Sequence, residues 1–294
     1  MLQHLGMELN GKVVVVTGAA RGLGAELARQ LTARGARVAL LGLEPSELAI
    51  VSDGLPGSAW WEVDVTDGAA LVAVAEEVRT KLGPAYAVVA NAGIAAGGPL
   101  LLSDPVSYDR VISVNLLGSV RTVRAFLPQV VESRGYVLQV ASLAAILPMP
   151  MMSAYCASKS GVEAFALSLR GEVKHHGVSV GVAYLTWTDT DMVRGADERP
   201  GLATMRAKLP GVLGKTYPIG PAVEQLVEGI VHRRARVYAQ GWLRSLNWVR
   251  AVMPSVLSKA PSKDVRNVEL QIRAAGPEAT TPVGAGGKAD SAQQ

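Results

Sequence analysis

Short runs of β-branched and aliphatic residues alternate with longer segments of helical periodicity along most of the chain. The run Val13–Val16 is apolar at every position, which is typical of a strand buried on both faces of a sheet. In the segment that follows, Leu23, Leu27 and Leu31 recur at the spacing of one helix face. This segment predicts a helix over Gly24–Arg34. The same alternation predicts strands over Val38–Leu41, Ala59–Val63, Tyr86–Ala90, Tyr136–Val140, Val178–Tyr184 and Arg236–Ala239, and helices over Ala69–Leu82, Ser107–Phe126 and Ala154–His175.

The alternation also predicts the fold class. Strands that are apolar throughout, each followed by a helix, are typical of a parallel sheet covered by helices on both faces. We expect a single doubly wound α/β domain over residues 1–241, with a parallel seven-stranded sheet. Ligands of such sheets bind at the carboxyl ends of the strands. The segment 191–221, rich in Gly, Pro and Arg, follows the sixth strand and is expected to form a substrate lid.

Two segments follow this domain. Residues 242–274 are expected to form an amphipathic extension. Residues 275–294, rich in Ala, Gly, Pro and Thr, predict a disordered tail. The part of the extension over 242–259 is typical of a packed terminal helix or a subunit contact, and a peripheral membrane contact is the alternative. Its apolar stripe consists of Leu243, Leu246, Val249, Met253 and Val256.

Composition narrows the class of protein. With 294 residues and 49% apolar residues, the chain can build a large core, and wholesale disorder is excluded. The net charge of +4, without a long Lys/Arg block, argues against nucleic-acid binding. A single cysteine, Cys156, excludes an intrachain disulfide and fits a reducing cytosol. No signal peptide or membrane span is evident, so we expect a cytoplasmic protein, with membrane association at its surface as the alternative. The four histidines show no metal-ligand spacing, and no metal is expected.

A glycine-rich turn directly follows the first strand. Its sequence is Thr17-Gly18-Ala19-Ala20-Arg21-Gly22-Leu23-Gly24. Glycine permits the backbone angles of a tight strand-to-helix turn and lets the backbone approach a pyrophosphate at the helix N-terminus. An ordinary glycine-rich turn is the alternative, but the placement between the first strand and the first helix favours a dinucleotide site.

Three polar residues suggest acid/base chemistry. Tyr155 and Lys159 are four residues apart in a predicted helix and share one face. A nearby ammonium, together with a positive nicotinamide ring, would bring the pKa of a tyrosine down from about 10. Such a tyrosine can exchange a proton with an alcohol/carbonyl pair. Ser142 follows the fifth strand and could hold the substrate oxygen.

Taken together, these motifs resemble the classical short-chain dehydrogenase/reductase family, and their order and spacing match from about Leu9 to Gly241. The motifs are Thr17-Gly18-x3-Gly22-x-Gly24, Asn91-Ala92-Gly93, Asn115, Ser142 and Tyr155-x3-Lys159. The resemblance implies a Rossmann-type fold and a hydride transfer to or from NAD(P). It implies that Tyr155 exchanges the proton, that Lys159 binds the nicotinamide ribose and lowers the tyrosine pKa, and that Ser142 stabilises the reacting oxygen. Asn115 would hold a water that relays protons from Lys159.

The resemblance also implies a set of cofactor contacts. Asp64 would contact the adenine, Asn91-Ala92-Gly93 would support the sheet beside the cofactor, and Thr188 and Thr190 would contact the nicotinamide. The family usually has Pro-Gly after the sixth strand, where this chain has Leu185-Thr186. The predicted cofactor-binding residues are Thr17, Gly18, Arg21, Gly22, Leu23, Gly24, Gly42, Leu43, Asp64, Val65, Asn91, Ala92, Gly93, Tyr155, Lys159, Thr188 and Thr190.

The choice between NAD and NADP depends on the end of the second strand. Family members that use NAD usually have Asp where this chain has Gly42, and Leu43 replaces the Arg common in NADP users. Arg21 could pair with a 2′-phosphate, which slightly favours NADP. Glu44 could instead reach the ribose, which keeps NAD open.

The segment between Ser142 and Tyr155 borders the substrate site in the family and is rich in methionine. Flexible methionines suit a bulky apolar ligand. We therefore expect an NAD(P)-dependent enzyme that interconverts an apolar secondary alcohol and ketone. A non-catalytic dinucleotide-binding or scaffold protein is the alternative. The resemblance implies a homodimer or homotetramer, with the helices that begin near Ser107 and Ala154 between subunits. The predicted substrate contacts are Pro148, Met149, Met152 and Trp187.

Overall fold

The computed structural model of the chain describes residues 8–209, 211–251 and 262–292. In these residues seven parallel strands form one sheet in the order β3-β2-β1-β4-β5-β6-β7. This sheet confirms the predicted α/β fold class. The order reverses between β1 and β4, so their carboxyl ends open a crevice in which doubly wound folds bind ligands. The strands are β1 (Val13–Thr17), β2 (Arg37–Gly42), β3 (Ala59–Glu62), β4 (Ala85–Ala90), β5 (Tyr136–Val140), β6 (Ser179–Tyr184) and β7 (Arg236–Tyr238).

Helices cover both faces of the sheet. Side chains alternate along β1, so that Val13 and Val15 join one core cluster and Val14 and Val16 the other. The helices are α1 (Gly22–Ala33), α2 (Pro45–Asp53), α3 (Gly68–Leu82), α4 (Pro105–Ile112), α5 (Ser119–Glu132), α6 (Leu143–Ile146), α7 (Ser153–Val173), α8 (Asp191–Asp197), α9 (Pro200–Ala207), α10 (Ile219–Val231), α11 (Trp242–Val249), α12 (Ser262–Ala275) and α13 (Gly284–Ser291). The first cluster packs under α3, α5 and α7, and the second under α1, α2 and α10.

The helix expected over Ser107–Phe126 is more complex than its periodicity suggests. It consists of α4 and α5 joined by one π-helical segment, Ser113–Gly118, and it continues to Glu132. A π turn inserts one extra residue per turn, which rotates the side chains it carries relative to the flanking helix. Asn115 lies in this segment and is fully buried. The expected lid, 191–221, is also partly helical, since it contains α8 and α9.

The C-terminal extension packs on the body of the fold. Leu243 of α11 is fully buried in the first core cluster, and Leu246 packs against that cluster. On α12, Val268 is fully buried and Ile272 is 6% exposed, against Met151. Two residues of the predicted apolar stripe, Met253 and Val256, lie outside the described residues.

The disordered tail expected from Ala275 is not what the structure has. Residues 277–280 form a 3₁₀ turn, and α13 follows at Gly284–Ser291. The composition suggested disorder because it offers few large apolar groups. The small residues instead allow close approach: a Cβ at Gly284 would lie 2.7 Å from the carbonyl oxygen of Asp191. Among the described residues, no helix has the length and apolar character needed to cross a membrane.

Candidate active site

The glycine-rich turn follows β1 and lies against the residues that follow β4. Gly18 and Gly22 have φ values of +65° and +50°, a region that glycine occupies without strain. A Cβ at Gly24 would lie 2.1 Å from the carbonyl oxygen of Gly18, so this position excludes any larger residue. The Thr17 hydroxyl accepts hydrogen bonds from the backbone amides of Asn91 and Ala92, both at 3.0 Å. The side-chain amide of Asn91 donates to the Thr17 carbonyl oxygen at 2.9 Å. The turn is therefore fixed to the next strand of the crevice.

A cavity of about 250 Å³ runs from this turn to the end of β5. All the predicted cofactor-binding residues line it except Thr17. Thr17 is 1% exposed and lies behind the cavity wall, where its hydroxyl binds the backbone of Asn91 and Ala92. Lys159 and Tyr155 line its far end together with Ser142. The predicted set is thus brought together along one elongated cavity, as an extended dinucleotide requires. The described residues contain no cluster of His, Cys, Asp or Glu that could hold a metal ion.

Ser142, Tyr155 and Lys159 converge at the carboxyl end of β5. Ser142 caps α6, and its hydroxyl accepts a hydrogen bond from the Ala144 amide at 3.2 Å. Ser142 and Tyr155 line the same part of the cavity. The ammonium of Lys159 donates to the carbonyl oxygen of Val140 at 2.9 Å and lies 5.8 Å from the centre of the Tyr155 ring. Lys159 is 4% exposed.

Burial controls the protonation of both titratable groups. It raises the pKa of Tyr155 to about 12, although the nearby Ser142 hydroxyl acts in the opposite direction. It lowers the pKa of Lys159 to about 8, because removal from water disfavours the ammonium. Among the chain's own groups, burial is the largest influence on the pKa of Tyr155. The lowering of this pKa by Lys159 together with a positive nicotinamide ring stays a prediction.

Asn115 holds the loop after β4. Its side-chain oxygen accepts from the Ile94 amide at 2.8 Å, and its side-chain nitrogen donates to the Ile94 carbonyl at 2.9 Å. The same nitrogen donates to the Ser158 hydroxyl at 3.1 Å. Asn115 does not line the cavity. The side chain of Asn115 is thus part of the wall, where it joins Ile94 to Ser158 of α7.

Arg21 is already paired at the end of the cavity that the glycine-rich turn and the end of β2 line. Its Nε donates to Glu44 Oε2 at 3.0 Å, a second nitrogen contacts Glu44 Oε1, and Asp191 lies 3.6 Å from the guanidinium. The hydrogen bond with Glu44 raises the pKa of Arg21. Glu44 lines the cavity as well. The carboxylate of Glu44 therefore occupies the region in which Arg21 was expected to pair with a 2′-phosphate.

Asp64 is held by an arginine that the sequence analysis did not identify. Arg110 on α4 donates to Asp64 at 2.7 Å, and the Thr66 amide donates to the same carboxylate, also at 2.7 Å. Burial by itself raises the pKa of Asp64, but these hydrogen bonds outweigh it, so the pKa is lower than usual. Asp64 is therefore an ionised hydrogen-bond acceptor that lines the cavity.

Comparison with known proteins identifies the family. The model of a protein family described as "short chain dehydrogenase" matches residues 12–201, which form most of the domain that contains the cavity. The chain belongs to the short-chain dehydrogenase/reductase family. It is 31% identical, over 222 residues, to the 3-oxoacyl-(acyl-carrier-protein) reductase FabG of Escherichia coli, covering 74% of this chain and 90% of that protein.

Two solved structures extend the comparison. A metagenomic short-chain oxidoreductase in complex with NADP is 34% identical, with a TM-score of 0.58 over 60% of this chain and 83% of that one. A short-chain dehydrogenase/reductase from Burkholderia phymatum in complex with NAD shares the fold at 24% identity, with a TM-score of 0.74 over 85% of this chain and 96% of that one. The protein is accordingly an NAD(P)-dependent oxidoreductase of this family.

A second, smaller cavity of about 70 Å³ adjoins the first in this short-chain dehydrogenase/reductase. Ser142 and Tyr155 line both cavities. The predicted Met149, Met152 and Trp187 line the smaller one, whereas Pro148 lines neither cavity and is exposed. Met149, in contrast, is half-buried.

Sequence reasoning missed part of both cavities. Met192 and Leu202, from α8 and α9, line the smaller cavity, and residues from Val283 to Asp290 line the larger one. The apolar positions of α8 and α9 lie in a segment dominated by Gly, Pro and Arg, which masked their periodicity. The C-terminal residues carry no local signal, because what places them at the cavity is long-range packing.

Proposed function

We propose that this protein interconverts an apolar secondary alcohol and ketone by hydride transfer with NAD(P). The observation that carries the proposal is the position of Ser142 and Tyr155 at the junction of two cavities. The larger cavity has the glycine-rich turn that suits a dinucleotide. The smaller one is lined mainly by apolar side chains. A substrate carbonyl bound there would meet both hydroxyls.

The chain's residues fit the dinucleotide. The backbone at Gly22 and Gly24 leaves room for a pyrophosphate at the N-terminus of α1, and a Cβ at Gly24 would remove that turn altogether. Thr188 and Thr190 would border the nicotinamide. When bound, the cofactor supplies or accepts the hydride. Lys159 would hold the ribose, since its buried ammonium has hydrogen atoms beyond the one donated to Val140.

The proton is assigned to Tyr155. Because burial keeps the pKa of Tyr155 near 12, the hydroxyl is protonated at neutral pH and can donate to the oxygen of a ketone as it becomes an alcohol. Ser142 would hold that oxygen through its own hydroxyl. We assign Asn115 a positioning role: it fixes the Ile94 backbone and the Ser158 hydroxyl on α7, three residues after Tyr155. This differs from the water-relay role that the resemblance implied.

The first test is the variant Tyr155→Phe, assayed with apolar ketones and alcohols and titrated with NADH and NADPH by fluorescence. Loss of turnover by at least about a hundredfold, with cofactor affinity retained, is expected for a group that only transfers the proton. Full activity of the variant would refute the assignment. Saturable cofactor binding by the unmodified chain, without turnover across the panel, would instead favour the non-catalytic alternative.

The substrate is expected to be largely apolar near the reacting carbon. Met149, Met152 and Trp187 supply flexible and aromatic contacts in the smaller cavity. FabG is named for reduction of a 3-oxoacyl group, which is a ketone, and this likeness supports a carbonyl substrate. A panel of ketones of increasing alkyl length, compared by kcat/KM, measures the apolar contribution.

We propose NAD as the preferred cofactor, contrary to the slight preference for NADP drawn from the sequence. A 2′-phosphate beside Arg21 would also face the carboxylate of Glu44, whereas a ribose diol could donate to it. NADH is expected to bind at least about tenfold more tightly than NADPH, which corresponds to about 1.4 kcal/mol.

The variant Glu44→Gln keeps the side-chain shape and frees the charge of Arg21, so we expect this preference to diminish or reverse. Asp53→Asn, at an exposed carboxylate in the last turn of α2, is the control and should leave the ratio unchanged. Tighter binding of NADPH by the unmodified chain would refute the proposal.

Self-association and membrane contact are further parts of the proposal. Leu117, beside Asn115, and Leu167 of α7 are 42% and 40% exposed, which supports a homodimer or homotetramer across these helices. Light scattering of the variant Leu167→Ser measures this self-association.

On α11, Leu243 is used for packing, so a membrane contact would depend on Trp248, which is 83% exposed. Co-sedimentation of Trp248→Ser with anionic liposomes tests that contact.

A further inference from the structure

The chain after α12 crosses the carboxyl edge of the sheet and borders the cofactor cavity. We call residues 276–292 the C-terminal strap. Its centre is fixed by a hydrogen bond from the Val283 amide to the Ala95 carbonyl at 2.8 Å. Its first part is fixed by Arg199, which contacts the Glu278 carbonyl and donates to the Thr281 hydroxyl at 3.1 Å. The strap thus lies against the loop after β4 and the start of α9.

The end of the strap is anchored by charge. Asp290 is only 2% exposed. Arg110 donates to it through Nε at 3.0 and 3.1 Å and through a terminal nitrogen at 2.6 Å. The same guanidinium donates to Asp64 at 2.7 Å, so one arginine joins the strap to the residue expected to contact adenine. A buried, bidentate pair of this kind is much stronger than an exposed ion pair.

The strap presents small residues to the cavity. Gly286, Gly287 and Ala289 line it, beside Asp290. A Cβ at Gly286 would meet nothing within 4 Å, so a larger residue would fit sterically, and the space is kept open. A segment that served to plug the cavity would fill this space with side chains. The strap therefore borders the cavity without filling it.

We propose that the C-terminal strap is the retaining wall of the dinucleotide site, and that the contact of Asp290 with Arg110, which also holds Asp64, is a latch that must open before the cofactor can leave. The strap would close over the adenosine end, where the latch lies, while hydride transfer takes place at the other end beside Tyr155. The inference goes beyond the proposed reaction, since it concerns cofactor exchange and applies in either direction of hydride transfer.

The latch is tested by Asp290→Asn in the full chain. The variant keeps the shape of the side chain but removes the charge-assisted hydrogen bonds, so we expect the dissociation rate constant of NADH to rise at least about tenfold. The rate is measured by stopped-flow fluorescence after displacement of bound NADH with excess NAD. Glu269→Gln, which breaks the exposed pair of Glu269 with Arg273 on α12, is the matched control and should leave the rate unchanged.

The wall is tested by Gly286→Phe, whose side chain would enter the cavity and should weaken NADH binding at least about tenfold. Gly241→Phe is the control, because Gly241 is exposed, a Cβ there also meets nothing within 4 Å, and Gly241 does not line the cavity. Trypsin cleavage after the exposed Lys288 reports strap opening independently of binding affinity. Saturating NADH is expected to slow this cleavage, and Asp290→Asn to accelerate it.

An unchanged dissociation rate in Asp290→Asn, or unchanged binding in Gly286→Phe, would overturn the proposal. So would faster association and tighter binding of NADH by Asp290→Asn, because the strap would then obstruct the site rather than retain the cofactor. Absence of NADH and NADPH binding in the unmodified chain would overturn it as well. Thermal midpoints of all variants show whether a loss of binding reflects global unfolding.

Discussion

Replacement of Lys159 by methionine tests two effects of a buried ammonium, its contribution to turnover and its cost to the stability of the fold. Lys159 is 4% exposed, and within the part of the chain that the structure describes its ammonium donates one hydrogen bond, to the Val140 carbonyl. Methionine has a similar length and no charge, so Lys159→Met removes the desolvation cost together with the functional group. The variant is expected to lose turnover, and its stability should respond differently to pH.

The magnitude follows from the lowered pKa. Lys159 has a pKa of about 8 in the folded chain, against 10.5 for an ordinary lysine. The unfolded chain therefore binds more protons between these two values, and stability rises with pH across this window. The full penalty, below pH 8, is about 3 kcal/mol at 1.36 kcal/mol for each unit of pKa. About 2.5 kcal/mol of it should be recovered between roughly pH 6.5 and pH 10.

The measurement is the free energy of unfolding in urea, taken for both proteins at several pH values. The quantity of interest is the difference between wild type and Lys159→Met, because the titration of all other groups largely cancels in it. The advantage of the variant should be largest near neutral pH and should shrink as the pH rises. An exposed lysine, Lys174, replaced by methionine gives the control. A difference that is constant with pH would refute the reasoning.

Two further substitutions test the packing around the site. Arg250→Ala would leave the carboxylate of Glu163, 5% exposed, without the arginine that donates to it at 2.5 and 2.8 Å. We expect a loss of about 3 to 5 kcal/mol of unfolding free energy, against no measurable change for the exposed Arg244→Ala, by urea denaturation. Gly181→Ala would place a Cβ 1.9 Å from the Tyr136 hydroxyl, and a loss of about 1 to 3 kcal/mol is expected. A wild-type midpoint for either Arg250→Ala or Gly181→Ala would contradict these contacts.

The strands were predictable because each is a continuous apolar run, and this is a local property of the sequence. Val13–Val16 and Tyr136–Val140 were located to within a residue of their observed ends. The glycine-rich turn was predictable for a different reason: Gly18 and Gly24 meet steric conditions that no other residue satisfies. Tyr155 and Lys159 could be paired from their spacing alone, since four residues separate positions on one helix face.

Other features depend on contacts between distant parts of the chain. The pairing of Arg21 with Glu44 depends on where β2 ends relative to α1, which spacing along the sequence does not define. The ordered strap depends on Asp290 meeting Arg110, 180 residues away. Its composition indicated disorder because local composition measures how much apolar surface a segment can bury, and the strap is held by backbone hydrogen bonds and charge.

The order in which the buried groups lose their protons gives the site a direction. With a pKa near 8 for Lys159 and near 12 for Tyr155, rising pH first removes the proton of the amine and leaves the phenol protonated. A protonated phenol can donate to a ketone oxygen without any further change. To accept a proton from an alcohol, Tyr155 must first become a phenolate, and in a buried site this requires added positive charge beside it. Lys159 supplies that charge at neutral pH, because a pKa of about 8 leaves its amine mostly protonated there, and it loses the charge as the pH rises above 8. Ketone reduction therefore needs no prior change in the protonation of Tyr155, whereas alcohol oxidation depends on the charge of Lys159 together with the positive nicotinamide ring of the oxidised cofactor.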